Sequence, residues 1–451
     1  MTGIMDTALG APSFRHGIHP QDHKEDTCSL AIRQFPFAPV LIVPLRQHLG
    51  APAVAVVRAG QEIARGQTIA TPDGFMSVAM HAPVSGIVQK IDLAPTISGD
   101  MVESVFIKPL PASTQEIDDG EPCDLATASA TEIMTAIQNA GIVGLGGAAF
   151  PTHAKLRFPE DKRVETLIIN GVECEPYLTT DHRVMLEQTE DIYSGIRYLI
   201  KATNAAKTVI AVEANKRDAI AMLEQTLPAD LPISVAVLKV KYPQGAEKIL
   251  IKALLGREVP RGGLPIDVGV LCTNVATTAE IGRLLPHGRG IQERVITIAG
   301  PGVEKKGNYL IPIGTPVRFA LEACGADPEV TRVFMGGPMM GPAVSNLDIP
   351  VTKGTSGILA FTTRETEEIV ERTIYPCIRC SRCLDACPVF LNPSQLGLLA
   401  KQEDYDRMAD QFHLFDCFEC GSCTYVCPSH IPLVQYFRLA KKMVRKTRAT
   451  Q

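Results

Sequence analysis

Apolar and polar positions change rhythm several times along the chain. Between residues 41 and 107 the apolar positions come in short β-like runs, L-I-V-P-L, A-V-A-V-V, G-Q-E-I-A-R-G-Q-T-I-A and H-A-P-V-S-G-I-V-Q-K-I. From about residue 130 helical and strand patterns alternate. T-E-I-M-T-A-I-Q-N-A reads as a helix, and T-L-I-I (166–169), T-V-I-A-V-E (208–213) and I-S-V-A-V-L-K-V (233–240) read as strands, the first ending at Asn170. Such alternation predicts a mostly parallel α/β sheet. Further on, M-G-G-P-M-M-G-P-A-V (335–344) and P-V-T-K-G-T-S-G-I-L (350–359) read as successive turns of a tight connector. Near the C-terminus Leu396, Leu399, Tyr405 and Met408 recur at near-helical intervals. No run approaches the roughly 18 apolar residues of a spanning helix.

The length of 451 residues allows about three or four domains. With 44 basic against 49 acidic side chains and a net charge of −5, a basic nucleic-acid binder is excluded as the leading reading. The first residues, M-T-G-I-M-D-T-A-L-G, lack the blocks of a signal peptide, so a soluble, cytoplasmic protein is expected, one able to dock on a membrane partner.

Cysteine placement changes the picture most. Eight of the 13 cysteines fall between Cys377 and Cys427, while Cys28, Cys123, Cys174, Cys272 and Cys324 stand alone. Cys377, Cys380, Cys383 and Cys387 form one C-x2-C-x2-C-x3-C-P run, and Cys417, Cys420, Cys423 and Cys427 form a second. Clusters at this spacing are metal ligands rather than a disulfide framework. Three thiolates two residues apart reach one cubane, and the fourth, expected to open a helix beside its proline, reaches the other cluster. The predicted ligand sets are therefore Cys377, Cys380, Cys383 and Cys427 for one [4Fe–4S] cluster, and Cys417, Cys420, Cys423 and Cys387 for the other. Zinc is the bland alternative, but zinc motifs usually pair two C-x2-C arms. Two such clusters make a wire, and a wire needs a site that loads electrons onto it.

Gly144, Gly146 and Gly147 form a loop where backbone N–H groups can approach a phosphate or a flavin ring. Alone the run is weak evidence, matching neither G-x-G-x-x-G nor a P-loop. Followed by P-T-H-A-K-L and N-G-V-E-C-E-P (170–176), it resembles the flavin-binding, NADH-oxidising subunit of respiratory complex I and related hydrogenase diaphorases. Leu145, Val172 and Cys174 depart from that family's arginine, aspartate and glycine. The resemblance implies FMN contacts at Gly144, Gly146, Lys155, Asn170 and Glu173, and NADH contacts at Phe150 and Glu175. Glu173 and Glu175 are the implied catalytic pair. Y-P-Q-G-A-E-K (242–248) and C-T-N-V-A-T (272–277) resemble the same family's later contacts and add Tyr242, Glu247, Thr273 and Asn274 to the FMN set. The ordinary alternatives are a helix cap for Glu173, the core for Phe150 and a solvated helix face for Lys155.

The β-rich stretch at 41–112 resembles a lipoyl- or biotinyl-carrier domain whose hairpin, T-P-D-G-F-M-S-V-A-M, has no attachment lysine, which implies a structural barrel. His16, His19 and His23 lie near Pro20, which breaks any helix that would align them, so they are expected in a loop or interface segment. Residues 295–324 resemble a soluble ligand-binding β-grasp domain. The whole order resembles the C-subunit family of the Rnf electron transport complexes. It implies a multidomain α/β protein with an extended segment (1–40), a barrel-sandwich (41–112), a Rossmann-like FMN/NADH domain (120–292), a β-grasp domain (293–345) and a helical two-cluster ferredoxin-type domain (365–451). The implied function is hydride exchange between NADH and FMN, then single-electron transfer through two [4Fe–4S] clusters. It places the chain peripherally on the cytoplasmic side of the inner membrane, among other Rnf subunits including an iron–sulfur subunit and membrane subunits, with ferredoxin or flavodoxin as indirect partner. The rivals are a soluble diaphorase subunit of a hydrogenase or bifurcating dehydrogenase, and an inactive iron–sulfur relay or scaffold. Arg438, Lys441, Lys442, Arg445, Lys446 and Arg448 form a basic tail suited to anionic lipid or an acidic partner.

Overall fold

The computed structural model describes residues 11–364 and 373–449. The ends of the expected first and last domains, 1–10, 365–372 and 450–451, lie outside the described residues.

In chain order, β1 (Arg33–Gln34) precedes a β-rich unit of β2 (Leu41–Pro44), β3 (Val54–Ala55), β4 (Glu62–Ile63), β5 (Thr68–Thr71), β6 (Met80–His81), β7 (Gly86–Pro95) and β8 (Met101–Pro109). These form two small antiparallel sheets, β2-β8-β7-β4 and β3-β5-β6. Alternate residues Leu41, Val43, Ile69, Val88, Val105 and Ile107 enter one core, as the period of two requires.

The middle unit follows with α1 (Ala130–Asn139), α2 (Thr152–Leu156), β9 (Thr166–Gly171), α3 (Thr180–Glu187), α4 (Thr189–Thr203), β10 (Lys207–Glu213), α5 (Arg217–Thr226), β11 (Ile233–Leu238), α6 (Glu247–Leu255), β12 (Val270–Asn274) and α7 (Val275–Leu284). Ser129 and Glu132 cap α1 reciprocally, and Ile133 and Ile137, one turn apart, face inward. The four strands pair in parallel as β11-β10-β9-β12. α4 and α7 touch backbone to backbone: a Cβ on Gly195 would lie 1.9 Å from the Thr278 carbonyl oxygen, and one on Gly282 1.9 Å from that of Asp191.

Next come β13 (Glu293–Ala299), β14 (Gly307–Pro312), α8 (Val317–Ala323), β15 (Val330–Met335) and β16 (Gly357–Thr362). Their sheet, β1-β14-β13-β16-β15, reaches beyond the expected 293–345 at both ends. β1 comes from the N-terminal segment, and the supposed connector at 350–359 runs into an inner strand. Ile358, Leu359 and Ala360 are fully buried, and that short apolar run outweighs the turn signals around it.

The C-terminal unit contains α9 (Arg382–Ala386), α10 (Pro393–Lys401), α11 (Tyr405–Asp410), α12 (Ser422–Tyr425) and α13 (Leu433–Ala449). Leu396, Leu399 and Met408 are buried against Phe437 and Ala440 of α13. The fourth cysteine of the first motif closes a helix rather than opening one. Cys387 is the extended C-cap of α9, because the following Pro388 excludes helical backbone at the residue before it. The basic tail is also partly spent within the unit: Arg438 and Lys441 pair with Glu419, and Arg448 with Asp410.

The N-terminal segment straps these units together. The His16 ring contacts Phe390, His23 stacks on Tyr177, Ile18 exchanges backbone hydrogen bonds with Tyr242, and buried Lys24 donates to the carbonyls of Glu173 and Leu178. The lysine-free hairpin between β5 and β6 is a docking element. Gln138 of α1 donates to the Gly74 and Ser77 carbonyls, and the His153 ring nitrogen lies 2.7 Å from the Phe75 carbonyl oxygen.

Candidate functional site

The order β11-β10-β9-β12 has a switch point. The chain moves outward from β9 through β10 to β11, then returns to place β12 on the other flank of β9. Open parallel sheets bind ligands outside the carboxyl ends of the strands at such a point. Here those ends are Asn170 and Asn274, register partners, with Thr273 opposite Ile169.

The glycine loop leans over this crevice. Val143 bridges Pro151, and Gly144 N–H donates to Phe150 O at 2.9 Å, closing the loop. Leu145 N–H donates to Thr277 Oγ1 of α7 at 2.9 Å. A Cβ on Gly146 would come within 3.4 Å of the Asn274 side chain, and Gly147 holds a φ of +111°. Backbone without side chains therefore faces the strand ends. Asn274 caps α7, its Oδ1 accepting from Ala276 and Thr277 N–H. Lys155 and Glu247 pair at the mouth, each about one-third exposed. Asn170 Nδ2 donates to Gly245 O at 2.9 Å, tying that strand end to the loop before α6.

Two observations fit a flavin phosphate or ring in this crevice. Thr273 Oγ1 is buried with no hydrogen-bond partner among the described residues, which is costly unless a ligand supplies one. The glycine loop leaves a cradle that a Cβ at Gly146 would crowd.

Three of the remaining expected residues meet protein partners. Glu173 faces inward. It accepts Asp181 N–H at 2.9 Å and faces Lys24 at 3.9 Å, so it caps α3. Glu175 is sealed at a junction, its oxygens accepting Met339 and Met340 N–H at 3.0 and 2.9 Å. Burial pushes its carboxyl up to about 7 despite those bonds. Tyr242 is fully buried beside it, and its Oη donates to Cys420 O at 2.6 Å. Burial and the neighbouring carboxylate push this phenol well above its ordinary range. Each of these three side chains is engaged by protein partners in this structure. Phe150 stays half-buried on the glycine loop.

Behind the crevice lies a charge network that the sequence did not suggest. Asp181 accepts Asn274 Nδ2 at 2.8 Å. Its carboxyl is raised by burial first and by Glu173 second. Arg294, fully buried, donates to the Leu145 and Lys353 carbonyls from behind the glycine loop. Its guanidinium is lowered to about 10 by burial. The one usable signal was an arginine at the start of the apolar run R-V-I-T-I-A.

The cysteines line two cavities in the C-terminal unit. Cys377, Cys380, Cys383 and Cys427 line the first, and Cys387, Cys417, Cys420 and Cys423 the second. Each set thus takes its fourth member from the other motif. Among the described residues no three His, Cys, Asp or Glu side chains converge on a single-ion site. Four thiols on the wall of a cavity suit a larger group such as a cubane. Backbone N–H groups of Leu391 and Glu419 point at Cys387 and Cys417 Sγ, at 3.3 and 3.4 Å, and such donors stabilise thiolate ligands.

Family models match four stretches: the RnfC barrel sandwich hybrid domain at 12–110, the Nuo51 FMN-binding domain at 137–283, the SLBB domain at 295–343 and the 4Fe-4S dicluster domain at 373–431. The chain is 42% identical to the C subunit of the proton-translocating ferredoxin:NAD(+) oxidoreductase complex of Clostridium ljungdahlii, over 95% of this chain and 93% of that one. It is 40% identical to the Na(+)-translocating counterpart of Acetobacterium woodii, over 96% and 97%. It is 41% identical to the C subunit of the ion-translocating oxidoreductase complex of Pseudomonas aeruginosa, over 97% of this chain and 56% of that longer one. Among solved structures, an NAD+-reducing [NiFe]-hydrogenase chain in the H2-reduced state matches with a TM-score of 0.51 at 19% identity, covering 70% of this chain and 61% of that chain, a likeness of fold.

Proposed function

The chain belongs to the C-subunit family of the Rnf ion-translocating ferredoxin:NAD(+) oxidoreductases, and we propose that its switch-point crevice holds FMN and its two cysteine-lined cavities hold [4Fe–4S] clusters. FMN, when bound, exchanges hydride with NADH and trades electrons singly with iron–sulfur centres. The observation that carries the reading is the unpartnered Thr273 Oγ1 at the end of β12, beneath a glycine loop and beside Asn170 and Asn274.

In this reading Gly144 and Gly146 admit the cofactor to the strand ends, and the Thr273 hydroxyl donates a hydrogen bond to it. Asn170 and Asn274 fix its orientation through amides already anchored by Gly245 and Asp181. Lys155 supplies positive charge at the mouth, with Glu247 holding its ammonium. Phe150 offers a ring on the NADH side of the loop. Glu173 and Glu175 are positioning residues.

The finer architecture proposed is a barrel-sandwich over 41–112, a Rossmann-like domain over 120–292, and a β-grasp domain beginning near 293 and extended by β1 and β16. A helical ferredoxin-type domain completes it. The unit is proposed to sit at the cytoplasmic face of the membrane. Among the described residues no helix is long and apolar enough to cross one.

The test is an anaerobic NADH titration of the full chain carrying FMN and iron, following the flavin's visible absorption. Bleaching is expected, together with weakened FMN retention in Lys155→Ala and Asn170→Ala. Bound flavin that NADH leaves unbleached, in the isolated chain and in the whole complex, would overturn the reading.

A further inference from the structure

The two cysteine-lined cavities are not equivalent, and their surroundings assign them an order. The second cavity abuts the flavin-side unit. Its Cys420 shares a buried apolar contact with Ile18, Tyr242 and Ala386, against which Cys174 and Met339 pack. Tyr242 Oη donates to the Cys420 carbonyl, and a Cβ on Gly421 would lie 2.8 Å from the Met339 carbonyl oxygen. Cys387, Cys420 and Cys423 are all buried.

The first cavity faces outward. Cys380 is exposed, and around it stand Ile378 at 67% exposure, Tyr375 at 54% and Leu398 at 38%. Isolated exposed apolar residues mean little, but several grouped at one redox site mark a contact surface. Arg379 and Lys401 line this cavity, and among the described residues no carboxylate does. Neither cation is ion-paired among the described residues. The two cavities are neighbours, because Cys383 of one set and Cys423 of the other lie in one buried cluster.

We infer that the cluster held by Cys387, Cys417, Cys420 and Cys423 is the inner one, exchanging electrons with the flavin. The cluster held by Cys377, Cys380, Cys383 and Cys427 is then the outer one, exchanging them with a partner that docks on the rim of Ile378, Arg379, Leu398 and Lys401. The partner is an iron–sulfur protein with an acidic, partly apolar face around its own redox centre. This order rests on the cofactor reading above. It holds for either direction of flow: two electrons per NADH cross singly through inner and then outer cluster, or the reverse. Protons and hydride stay on the flavin side, and no bond forms at the docking rim.

The experiment uses the full chain loaded with FMN and iron, with iron content and the spectrum of the surviving cluster checked in each variant. In Cys380→Ser, NADH should still reduce the inner cluster by electron paramagnetic resonance, while electron delivery to the complex's purified iron–sulfur subunit is lost. In Cys420→Ser, flavin should bleach while the outer cluster stays oxidised on the same timescale; Cys387→Ser serves as a second inner-cluster variant. The opposite pattern, or prompt reduction of the surviving cluster in both variants, would overturn the order. Flavin that fails to bleach in the unchanged chain would instead defeat the cofactor reading. Docking is read separately. The pair Arg379→Glu and Lys401→Glu should slow association with that iron–sulfur subunit about tenfold or more at low salt, with the difference shrinking as salt rises. Unchanged association at low salt would overturn the docking surface.

Discussion

Asn170 and Asn274 stand side by side at the ends of neighbouring parallel strands, and each amide is anchored by protein partners. Asn170 holds the Gly245 carbonyl, and Asn274 holds Asp181 and the first turn of α7. Neither side chain is free to swing, so the strand ends form a rigid floor. The unsatisfied group on that floor is Thr273 Oγ1, one residue before Asn274.

That hydroxyl leads to a prediction of opposed signs. Thr273→Val keeps the shape and strand preference of the residue but removes a buried group that costs about 1–3 kcal/mol when unpaired. Without flavin the variant should melt at the same or a higher temperature than the parent. With flavin it should bind more weakly, by about tenfold for a lost bond worth about 1.4 kcal/mol. Calorimetry and fluorescence titration of the flavin read the two arms. A variant destabilised without flavin and unchanged in affinity would show that Thr273 serves the sheet alone.

The crossed cysteine sets give a second prediction, best read in a double variant. If Cys387 serves the second motif's cluster, joining Cys377→Ser to Cys387→Ser damages both clusters. If each motif bound its own cluster, the same pair would damage only one. Iron should therefore fall well below about four atoms per chain in the double variant, against about eight in the parent. Iron assay with electron paramagnetic resonance separates the cases, and retention of one intact cluster would refute the crossing.

How much of this was legible in sequence follows from which signals are local. The cysteine spacing carried its own geometry, and alternating patterns around T-L-I-I and T-V-I-A-V-E were enough for a parallel sheet, because buried parallel strands are continuous apolar runs. Thr273 and Asn274 were found through a resemblance, and they end a strand where ligands bind. Glu173 and Glu175 mark the limit, because a carboxylate beside a glycine loop looks the same in sequence whether it meets a cofactor or backbone N–H groups. Their protein partners, Asp181 and the Met339–Met340 turn, are set by tertiary packing. β16 was hidden in the same way, a six-residue strand flanked by glycine and proline signals that only its partners β13 and β15 identify.

Packing between α4 and α7 supplies a third prediction. Gly195→Ala would drive a methyl to within 1.9 Å of the Thr278 carbonyl oxygen. That atom belongs to a buried helix backbone and cannot turn aside. Overpacking of this kind costs typically about 1–3 kcal/mol and at times more. Because α7 starts just after Asn274, the displacement should also reach the crevice. Urea unfolding should show the loss of stability, and flavin retention should fall with it. Full stability in this variant would contradict the close helix contact.

Lys353 provides the last prediction. Its ammonium is fully buried and donates to the Ala79 carbonyl of the β-rich unit and to the Gly141 carbonyl just after α1, at 2.7 and 2.8 Å. Burial lowers it from 10.5 to about 7. Between those values the unfolded chain keeps a proton that the folded chain has released, so folding from this group becomes more favourable as pH rises through the window. Below about 7 both states are charged and the penalty is constant; above 10.5 both are neutral and it vanishes. At about 1.4 kcal/mol per pKa unit the window spans several kcal/mol. His48 and His81 face the same charge, but burial first and Lys353 second hold them near 4 and 3, so both stay neutral throughout. Subtracting the stability of Lys353→Met from that of the parent removes contributions common to both. The difference, measured by urea unfolding from about pH 7 to about pH 10, should climb in the parent's favour. A flat difference would mean that water reaches the ammonium and that the β-rich unit is docked without a buried charge.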